Sequence, residues 1–303
     1  MSNIAQIQKA LLEANSLIAE MELDIAKNPS DVGLQFSIKS LENKHKELEE
    51  EFKKEAEKLG QNVLDYRISS EEKINITAMS DVMSCFQKLF SIVCDALENG
   101  PKKTADIREE IKKKTALGLA YTYSGSIGIA LTFQNDREFI ETTLDKAIKE
   151  TFHLMNIQTK DEFKESVDKL GSGTIKTFNS WMGIHIKNNI SAEIKWAKSA
   201  TEEVKEVVQV PKLKYIKNML DETPLEEDED IEVKGNLVGI DTSKKTFHVS
   251  TDELDIIGVL ADTVEDRIWI VPVMYKFNLT KKIITHLNKE KIHYTLNSII
   301  DID

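Results

Sequence analysis

Cysteine is scarce in this 303-residue chain: only Cys85 and Cys94 occur, nine positions apart in one apolar segment. The spacing is typical neither of metal ligands nor of a redox pair, and on a helix the two side chains would point in opposite directions. We therefore interpret both as buried free thiols, which behave as small hydrophobic side chains. No disulfide between them is expected.

Long hydrophobic runs are also missing, since no stretch approaches the roughly 20 apolar residues that a membrane helix needs. The sequence around Ser2, Asn3 and Ile4 lacks the basic and continuously apolar regions of a secretory signal. Composition therefore predicts a soluble cytoplasmic protein that does not enter a membrane.

Positive charge is in deficit, with 40 Lys and Arg against 52 Asp and Glu and a formal net charge of -12. A chain of this charge repels phosphate backbones unless a local basic patch overrides the mean field. The candidate patch is a small basic island composed of Lys102, Lys103, Lys112, Lys113 and Lys114. Nucleic-acid binding is thus disfavoured, and it depends on this island if it occurs.

Catalytic and ligand-binding motifs are equally sparse. The six histidines are scattered, and no two have the spacing of three or four residues that places both on one helix face. The segment Gly125–Gly128 lacks the glycine that precedes the serine of a nucleophile elbow, and Gly171–Gly173 lacks the lysine of a phosphate loop. We predict no catalytic residue, metal or cofactor, although an enzyme built from distant residues is an alternative that spacing does not detect.

The strongest positive signal is a pair of four-three hydrophobic repeats in the first 60 residues, typical of two long helices. Asn28–Asp31 separates them, and its proline favours a turn, with Ser30 or Asp31 as the cap of the second helix. The sequence therefore predicts an antiparallel helical hairpin, whose stripe should be covered by a second copy or by another protein. The stripe comprises Ile4, Ile7, Leu11, Ala14, Ile18, Met21 and Ile25, then Leu34, Ile38, Leu41, His45, Leu48, Phe52, Glu55 and Leu59.

Two stripe positions are polar, His45 and Glu55. A polar residue at such a position lowers stability and often fixes register or partner number, and a histidine there can titrate near neutrality. We hypothesise that both tune binding specificity, so that replacing both with leucine raises thermal stability. His185 follows Ile175, Phe178 and Met182 on an apolar helical stripe, and is expected to be a core residue instead.

Alternation predicts a β-hairpin at 116–133, with large residues on one parity and small ones on the other. A three-residue loop, 124–126, or an equivalent bulge would pair Tyr123 with Ile127 and Leu117 with Phe133. This register places Tyr121 and Ile129 on the same, bulky face and leaves a nearly bare face for close packing of a helix or a second sheet.

Other patterns complete an α+β domain over 61–220 after a hairpin arm over 1–60. The acidic run 221–230 has the composition of a solvated linker. Five short strand signals over 231–303 then indicate a small five-stranded β-barrel of the SH3 or OB type. The predicted elements are a strand at 63–68, helices at 76–97, 136–154, 159–170, 172–188 and 211–220, a strand at 192–196, and barrel strands at 231–240, 246–250, 256–260, 268–277 and 292–299.

The barrel segment 267–277 is apolar on both parities, whereas a small barrel has one wet face. Either the barrel packs against the central domain, or this face docks a protein with Trp269 and Tyr275 as anchors. Pro272 predicts an edge or a bulge nearby.

These observations favour a non-enzymatic assembly or adaptor protein that self-associates or binds a protein partner through its arm and an aromatic barrel face. The alternatives are a nucleic-acid-associated factor using the basic island, and an enzyme with a pocket near 124–128.

Overall fold

The computed structural model describes residues 3–70, 73–123, 127–135, 141–199, 201–264, 269–286 and 289–301. Its architecture is α+β, with packed N-terminal helices, a five-stranded antiparallel sheet and a closed five-stranded barrel. The chain divides into two compact units, Met1–Met219 and Leu220–Asp303. None of the described helices combines the length and the apolar character that crossing a membrane requires.

The predicted hairpin is present as α1 (Asn3–Lys27) and α2 (Val32–Lys58), which pack against each other. Asp31 is the cap of α2, because its carboxylate accepts a hydrogen bond from the backbone N–H of Leu34 at 3.0 Å. The hairpin belongs to the first compact unit together with the central sheet.

The central sheet has the strand order β2-β3-β1-β4-β5 and contains only antiparallel pairs. The predicted strand at 192–196 does join it, beside β1. The edge strand β5 was not predicted, since its charged residues alternate with only a few valines. The strands are β1 (Gln61–Ser69), β2 (Gly118–Tyr123), β3 (Ile127–Gln134), β4 (Ser191–Ala197) and β5 (Glu203–Val208).

Helices with wide apolar faces cover one side of the sheet. Tyr66 of β1 meets Phe86 of the central helix at 4.9 Å between ring centroids, and Phe133 of β3 meets Phe90 at 5.4 Å. The predicted helices at 76–97, 159–170, 172–188 and 211–220 are confirmed, and the part of 136–154 that precedes 141 lies outside the described residues. The helices are α3 (Ile76–Asn99), α4 (Glu109–Lys114), α5 (Thr143–Leu154), α6 (Lys160–Leu170), α7 (Ser172–Lys187) and α8 (Val210–Glu222).

The hairpin register differs from our prediction near its loop. Leu119 pairs with Leu131 in the predicted register, but a bulge follows, and Tyr121 then pairs with Ala130 and Tyr123 with Gly128. Directly paired residues share a face, so Tyr121 and Ile129 lie on opposite faces and the prediction is wrong for this half. The bulge moves both tyrosines to the face with the small residues of β3, where the arm packs.

The second unit is a closed barrel of strand order β10-β8-β7-β6-β9, as predicted from the five strand signals. Its core contains Phe247, Tyr275, Phe277, Leu279 and Leu296. The strands are β6 (Leu225–Asp241), β7 (Thr246–Ser250), β8 (Asp255–Leu260), β9 (Val273–His286) and β10 (Lys289–Asp301).

The acidic run is not a linker along most of its length. From Leu225 onward it belongs to β6, which pairs with β9 so that Asp228 lies opposite Lys282 and Glu229 opposite Lys281. Glu229 and Lys281 also form an ion pair at 3.9 Å. Lysines on the neighbouring strand balance the acidic charge, which composition alone does not reveal.

Strand β9 begins later than predicted. Residues 269–272 are not in a strand, the Val271–Pro272 peptide bond is cis, and the ladder starts at Val273. A proline lacks the N–H that a ladder needs, so it lies just outside the strand.

Candidate functional site on the helical arm

The arm has two halves that differ in burial. Every buried residue of α1 and α2 lies in the proximal arm, defined as Asn3–Ser16 and His45–Lys58. The distal arm, Leu17–Lys27 and Val32–Lys44, is described throughout and contains no buried residue. The same repeat therefore runs through two different environments.

The proximal stripe packs on the central sheet. Phe52 lies edge-on to Tyr121, with ring centroids 5.3 Å apart, and is fully buried. Burial of one such ring contributes about 1.5–3 kcal/mol. The sheet of the same chain thus covers this half, where we expected a second copy or another protein. The shared core comprises Ile7, Leu11, Ala14, Leu48, Phe52, Ala56, Val63, Tyr121, Tyr123, Ala130 and Ala197.

Helix α1 also covers the edge strand β2. The side-chain amide of Gln8 donates to the carbonyl of Ala120 at 3.4 Å, and that of Asn15 donates to the carbonyl of Thr122 at 3.2 Å. Gln8 and Asn15 are one heptad apart, so they lie on the same flank of the helix. Two carbonyls of an otherwise open sheet edge are satisfied in this way, which protects the edge from pairing with another chain.

A polar cluster fixes Tyr123 beneath the arm. Its hydroxyl donates to the Asp65 carboxylate and accepts from Nε of Arg67 at 3.4 Å, while the guanidinium lies 5.1 Å from the ring centroid. Gly128 of β3 lies between Arg67 of β1 and Tyr123 of β2, and it is the register partner of both. A Cβ at Gly128 would overlap the Tyr123 ring, so glycine lets the ring cross β3 and reach β1.

Helix α2 places His45 and Glu49 over this cluster. His45 Nδ1 lies 3.6 Å from the Glu49 carboxylate, and its ring centroid lies 6.2 Å from that of Tyr123. Burial raises the pKa of Glu49, and the nearby Asp65 adds to the shift. Burial also raises the pKa of Asp65, and it lowers the pKa of His45 together with the charge of Arg67. His45 is therefore a neutral imidazole near pH 7.

The cluster can hold the arm on the sheet. Its tyrosine, carboxylate and guanidinium bond to one another. Among the residues that the structure describes, no group of three or more His, Cys, Asp or Glu side chains could hold a metal ion.

A cavity of about 770 Å³ lies between α1 and the end of the β2–β3 hairpin. The described residues of its wall are mainly apolar, and its one tyrosine, Tyr123, is bonded to Asp65. This is the neighbourhood in which an enzyme pocket was an alternative, but residues 124–126 lie outside the described residues. The cavity is lined by Leu12, Asn15, Ser16, Ala19, Met79, Thr122, Tyr123, Ile127, Gly128 and Ile129.

The distal arm exposes much apolar surface. The six stripe residues of this half, the distal stripe, are each only half-buried, because the two helices contact each other without a third layer. Four further large apolar residues are 45 to 70% exposed. The distal stripe comprises Ile18, Met21, Ile25, Leu34, Ile38 and Leu41, and the exposed residues are Leu17, Leu23, Val32 and Phe36.

The second polar stripe residue, Glu55, has a different environment from His45. It is half-buried and accepts a hydrogen bond from Lys58, which lowers its pKa, with a further contribution from Asn3. His45 by contrast has a buried Nε2 without a hydrogen-bond partner. The two residues are separated along α2, and the structure does not bring them together.

Three lysines of the basic island are ion-paired. Lys102 bonds to the buried Asp95 at 2.9 Å, Lys112 to Glu109 at 2.6 Å, and Lys114 to Glu98. The contact with Asp95 fastens the loop after α3, where the backbone of Lys103 also accepts a hydrogen bond from Ser172. These pairs weaken the case for a phosphate-binding patch made of Lys102, Lys103 and Lys112–Lys114.

The two aromatic residues of the barrel do not form an exposed pair. Tyr275 is only 5% exposed and belongs to the barrel core, and Trp269 packs partly buried against that core. The exposed apolar residues in this region are Ile270, Val271 and Met274. The prediction that Tyr275 anchors an exposed docking surface is therefore wrong.

His185 is the core residue that its stripe predicts. Its Nδ1–H donates to the carbonyl of Ile190 at 2.8 Å, so Nε2 accepts from the hydroxyl of Tyr66 at 3.0 Å. Burial lowers its pKa to about 4.

Sequence reasoning missed Asp65, Arg67, Tyr123 and Gly128 as a group. The available signal was that two charged residues, Asp65 and Arg67, alternate with large apolar residues along β1. These residues were not linked to the tyrosines, because the bulge in β2 was not foreseen.

Comparison with known proteins adds no analogy: no family model matches the chain, and neither the curated proteins nor the solved structures include one similar to it.

Proposed function

We propose that this protein is a non-enzymatic assembly or adaptor protein whose distal arm is its protein-docking surface. The observation that carries the proposal is the division of one hydrophobic repeat into a half covered by the sheet and a half in which no residue is buried. A two-helix pair has little core of its own, and exposed apolar surface of this extent is typical of docking sites.

The polar contacts support a rigid platform for this surface. Gln8 and Asn15 attach α1 to the edge strand, and Phe52 anchors α2 to Tyr121. A docking element held by a folded base loses less conformational freedom on binding than a mobile one. Cytoplasmic location is part of the proposal, and the two free cysteines fit a reducing compartment.

Native mass spectrometry of the full chain purified from its own host tests the proposal. We expect the wild type to carry a macromolecular partner, either another protein or a second copy. The double variant I25E/I38E, which places two carboxylates on the distal stripe, should lose it. The matched control L23E/F36E makes the same changes at exposed positions on the opposite face of the same helices, and should retain the partner. A wild type with nothing bound would contradict the proposal.

A further inference from the structure

We propose that the cavity between α1 and the end of the β2–β3 hairpin, which we call the hairpin cavity, binds a small, uncharged and largely apolar molecule. The inference goes beyond the proposed docking function and does not rest on it, because it concerns a different place in the fold and a different class of ligand. Its arguments are the construction of the walls, the size of the cavity and the chemistry of the residues that line it.

Three elements form the walls of the hairpin cavity. Leu12, Ser16 and Ala19 of α1 follow one another at spacings of four and three residues, which places them on one face of the helix. The ends of β2 and β3 supply a second wall, and Met79 contributes a side chain from the start of α3. The cavity is therefore enclosed by elements that are far apart in sequence and held together by the fold.

Polar bonds fix two of these walls before any ligand enters. The side-chain amide of Asn15 donates to the carbonyl of Thr122 at 3.2 Å, which ties α1 to β2. Tyr123 is fixed through its hydroxyl, which bonds to Asp65 and Arg67. A cavity whose walls are already in place loses little free energy to reorganisation when it is filled, and ligand sites are usually preformed in this way.

The size of the hairpin cavity fits a small organic molecule. Its volume of about 770 Å³ lies within the range of about 300 to 1,000 Å³ that is usual for ligand sites. Two large apolar side chains of its wall stay exposed to solvent, Leu12 at 47% and Ile127 at 36%. A molecule in the cavity would remove part of this apolar surface from water, which favours binding.

The wall chemistry selects an uncharged ligand. Among the described lining residues none has a charged side chain, and burial raises the pKa of Tyr123, so that its hydroxyl stays neutral. A charged group that left water for this cavity would lose its hydration without gaining a partner of opposite charge. Leu12, Ile129 and the adaptable thioether of Met79 instead fit aliphatic or aromatic groups.

A few polar groups accompany the apolar wall. Asn15 and Thr122 meet through their hydrogen bond, and Ser16 follows Asn15 along the helix, so these groups lie near one another. A small number of polar groups in an otherwise apolar cavity commonly orients the ligand. We therefore expect a ligand with an apolar body and one neutral hydrogen-bonding group.

Two fluorescent probes with the same aromatic body test the proposal on the full wild-type chain. N-phenyl-1-naphthylamine is uncharged, whereas 1-anilinonaphthalene-8-sulfonate carries a sulfonate. The neutral probe should bind saturably and about tenfold or more tightly than the charged one, because the cavity offers no partner for the sulfonate. Absence of saturable binding of the neutral probe would overturn the site, and equal affinities would overturn the selection of an uncharged ligand.

A matched pair of variants on α1 locates the bound probe. Ala19→Phe places a ring in the cavity and should weaken binding of the neutral probe about tenfold or more. Ala26→Phe makes the same change two turns further along the helix, at an exposed position outside the wall, and should leave the affinity unchanged. Equal losses in the two variants would overturn the hairpin cavity as the site.

Hydrogen–deuterium exchange of the wild type with and without the neutral probe locates the site independently of any variant. Binding should slow exchange at Thr122, Tyr123 and Ile127–Ile129. Slower exchange confined to the distal arm would place the probe on that exposed surface and overturn the proposal, even if Ala19→Phe fails to fold. Neither result depends on whether I25E/I38E loses a macromolecular partner, so failure of this inference is distinguishable from failure of the docking function.

Discussion

The proximal and distal halves of the arm share one hydrophobic repeat but differ in what lies against it. In the proximal half Phe52 is fully buried against Tyr121, whereas in the distal half no residue is buried. The comparison shows that an amphipathic stripe predicts helix pairing but does not identify the surface that covers it. In the proximal half that surface includes β1, which follows α2 almost directly, and β2, which begins 60 residues after α2 ends.

The largest difference between the halves should appear at two phenylalanines of α2. Phe52→Ala removes a fully buried ring and should lower the free energy of unfolding by about 3–5 kcal/mol. Phe36→Ala, at a side chain that is 70% exposed, should change it by no more than about 0.5 kcal/mol. Urea unfolding of both variants measures this, and equal losses would remove the distinction between the halves.

Buried histidines provide the next comparison, because His185 has both ring nitrogens bonded and His45 does not. His185→Leu leaves the Tyr66 hydroxyl and the Ile190 carbonyl unpaired, and should cost about 2–4 kcal/mol at pH 7.

The pH dependence follows from the lowered pKa. The folded-state pKa of His185 is about 4 against an ordinary value of 6.5, so the unfolded chain binds the proton more readily and wild-type stability falls as pH drops from about 6.5 towards 4. The variant should lose this contribution, so its stability should fall less over the same pH range, while His45, whose pKa is also lowered, contributes to the slope in both proteins. Unfolding measured at pH 7 and pH 5 checks both statements, and a wild type whose slope matches that of the variant would contradict them.

Gly128→Ala should weaken the attachment of the arm, since the added methyl group overlaps the Tyr123 ring. We expect a loss of about 1–3 kcal/mol from the displaced ring and its bonds to Asp65 and Arg67. Gly183→Ala in α7 is a matched control, because its Cβ meets no atom within 4 Å and a helical alanine gains up to about 1 kcal/mol. A loss in both variants would indicate that the ring is not the cause.

The smallest expected effect is a gain in stability at His45, where the proximal and distal halves of the arm meet. His45→Leu removes a buried nitrogen without a hydrogen-bond partner, and should raise stability by about 1 kcal/mol at pH 7. Because burial and Arg67 lower the pKa of His45, protonation favours the unfolded chain, and the gain should be larger at pH 5. Glu49 and Asp65 face the same site with raised pKa values and titrate in both proteins, so the difference between the two isolates the histidine. Lower stability of the variant at both pH values would show that the imidazole stabilises the arm.

Much of the fold follows from local sequence patterns. The helical hairpin, its Asp31 cap, the helices after Thr159 and the closed barrel all agree with the sequence analysis, because periodicity and caps act within one element. The face of β3 with Gly128 and Ala130 is also the bare face predicted for close packing of a helix.

The errors concern interactions between elements. The bulge in β2 turned Tyr121 towards the arm, and the lysines of β9 converted an acidic linker into strand β6. Neither effect is visible within its own segment. The candidate site was predicted only as far as the stripe itself, since the boundary between its halves depends on where the sheet ends.

Hydrogen–deuterium exchange of the full wild-type chain at two concentrations tests the central claim most directly. Amides of the proximal arm should be protected equally in dilute and concentrated samples, at about 1 µM and about 200 µM, since the sheet covers them within one chain. Amides of the distal arm, where no residue is buried, should exchange faster than those of the proximal arm in the dilute sample. Protection of the distal arm that equals that of the proximal arm in both samples would contradict the division of the arm into a structural half and a docking half.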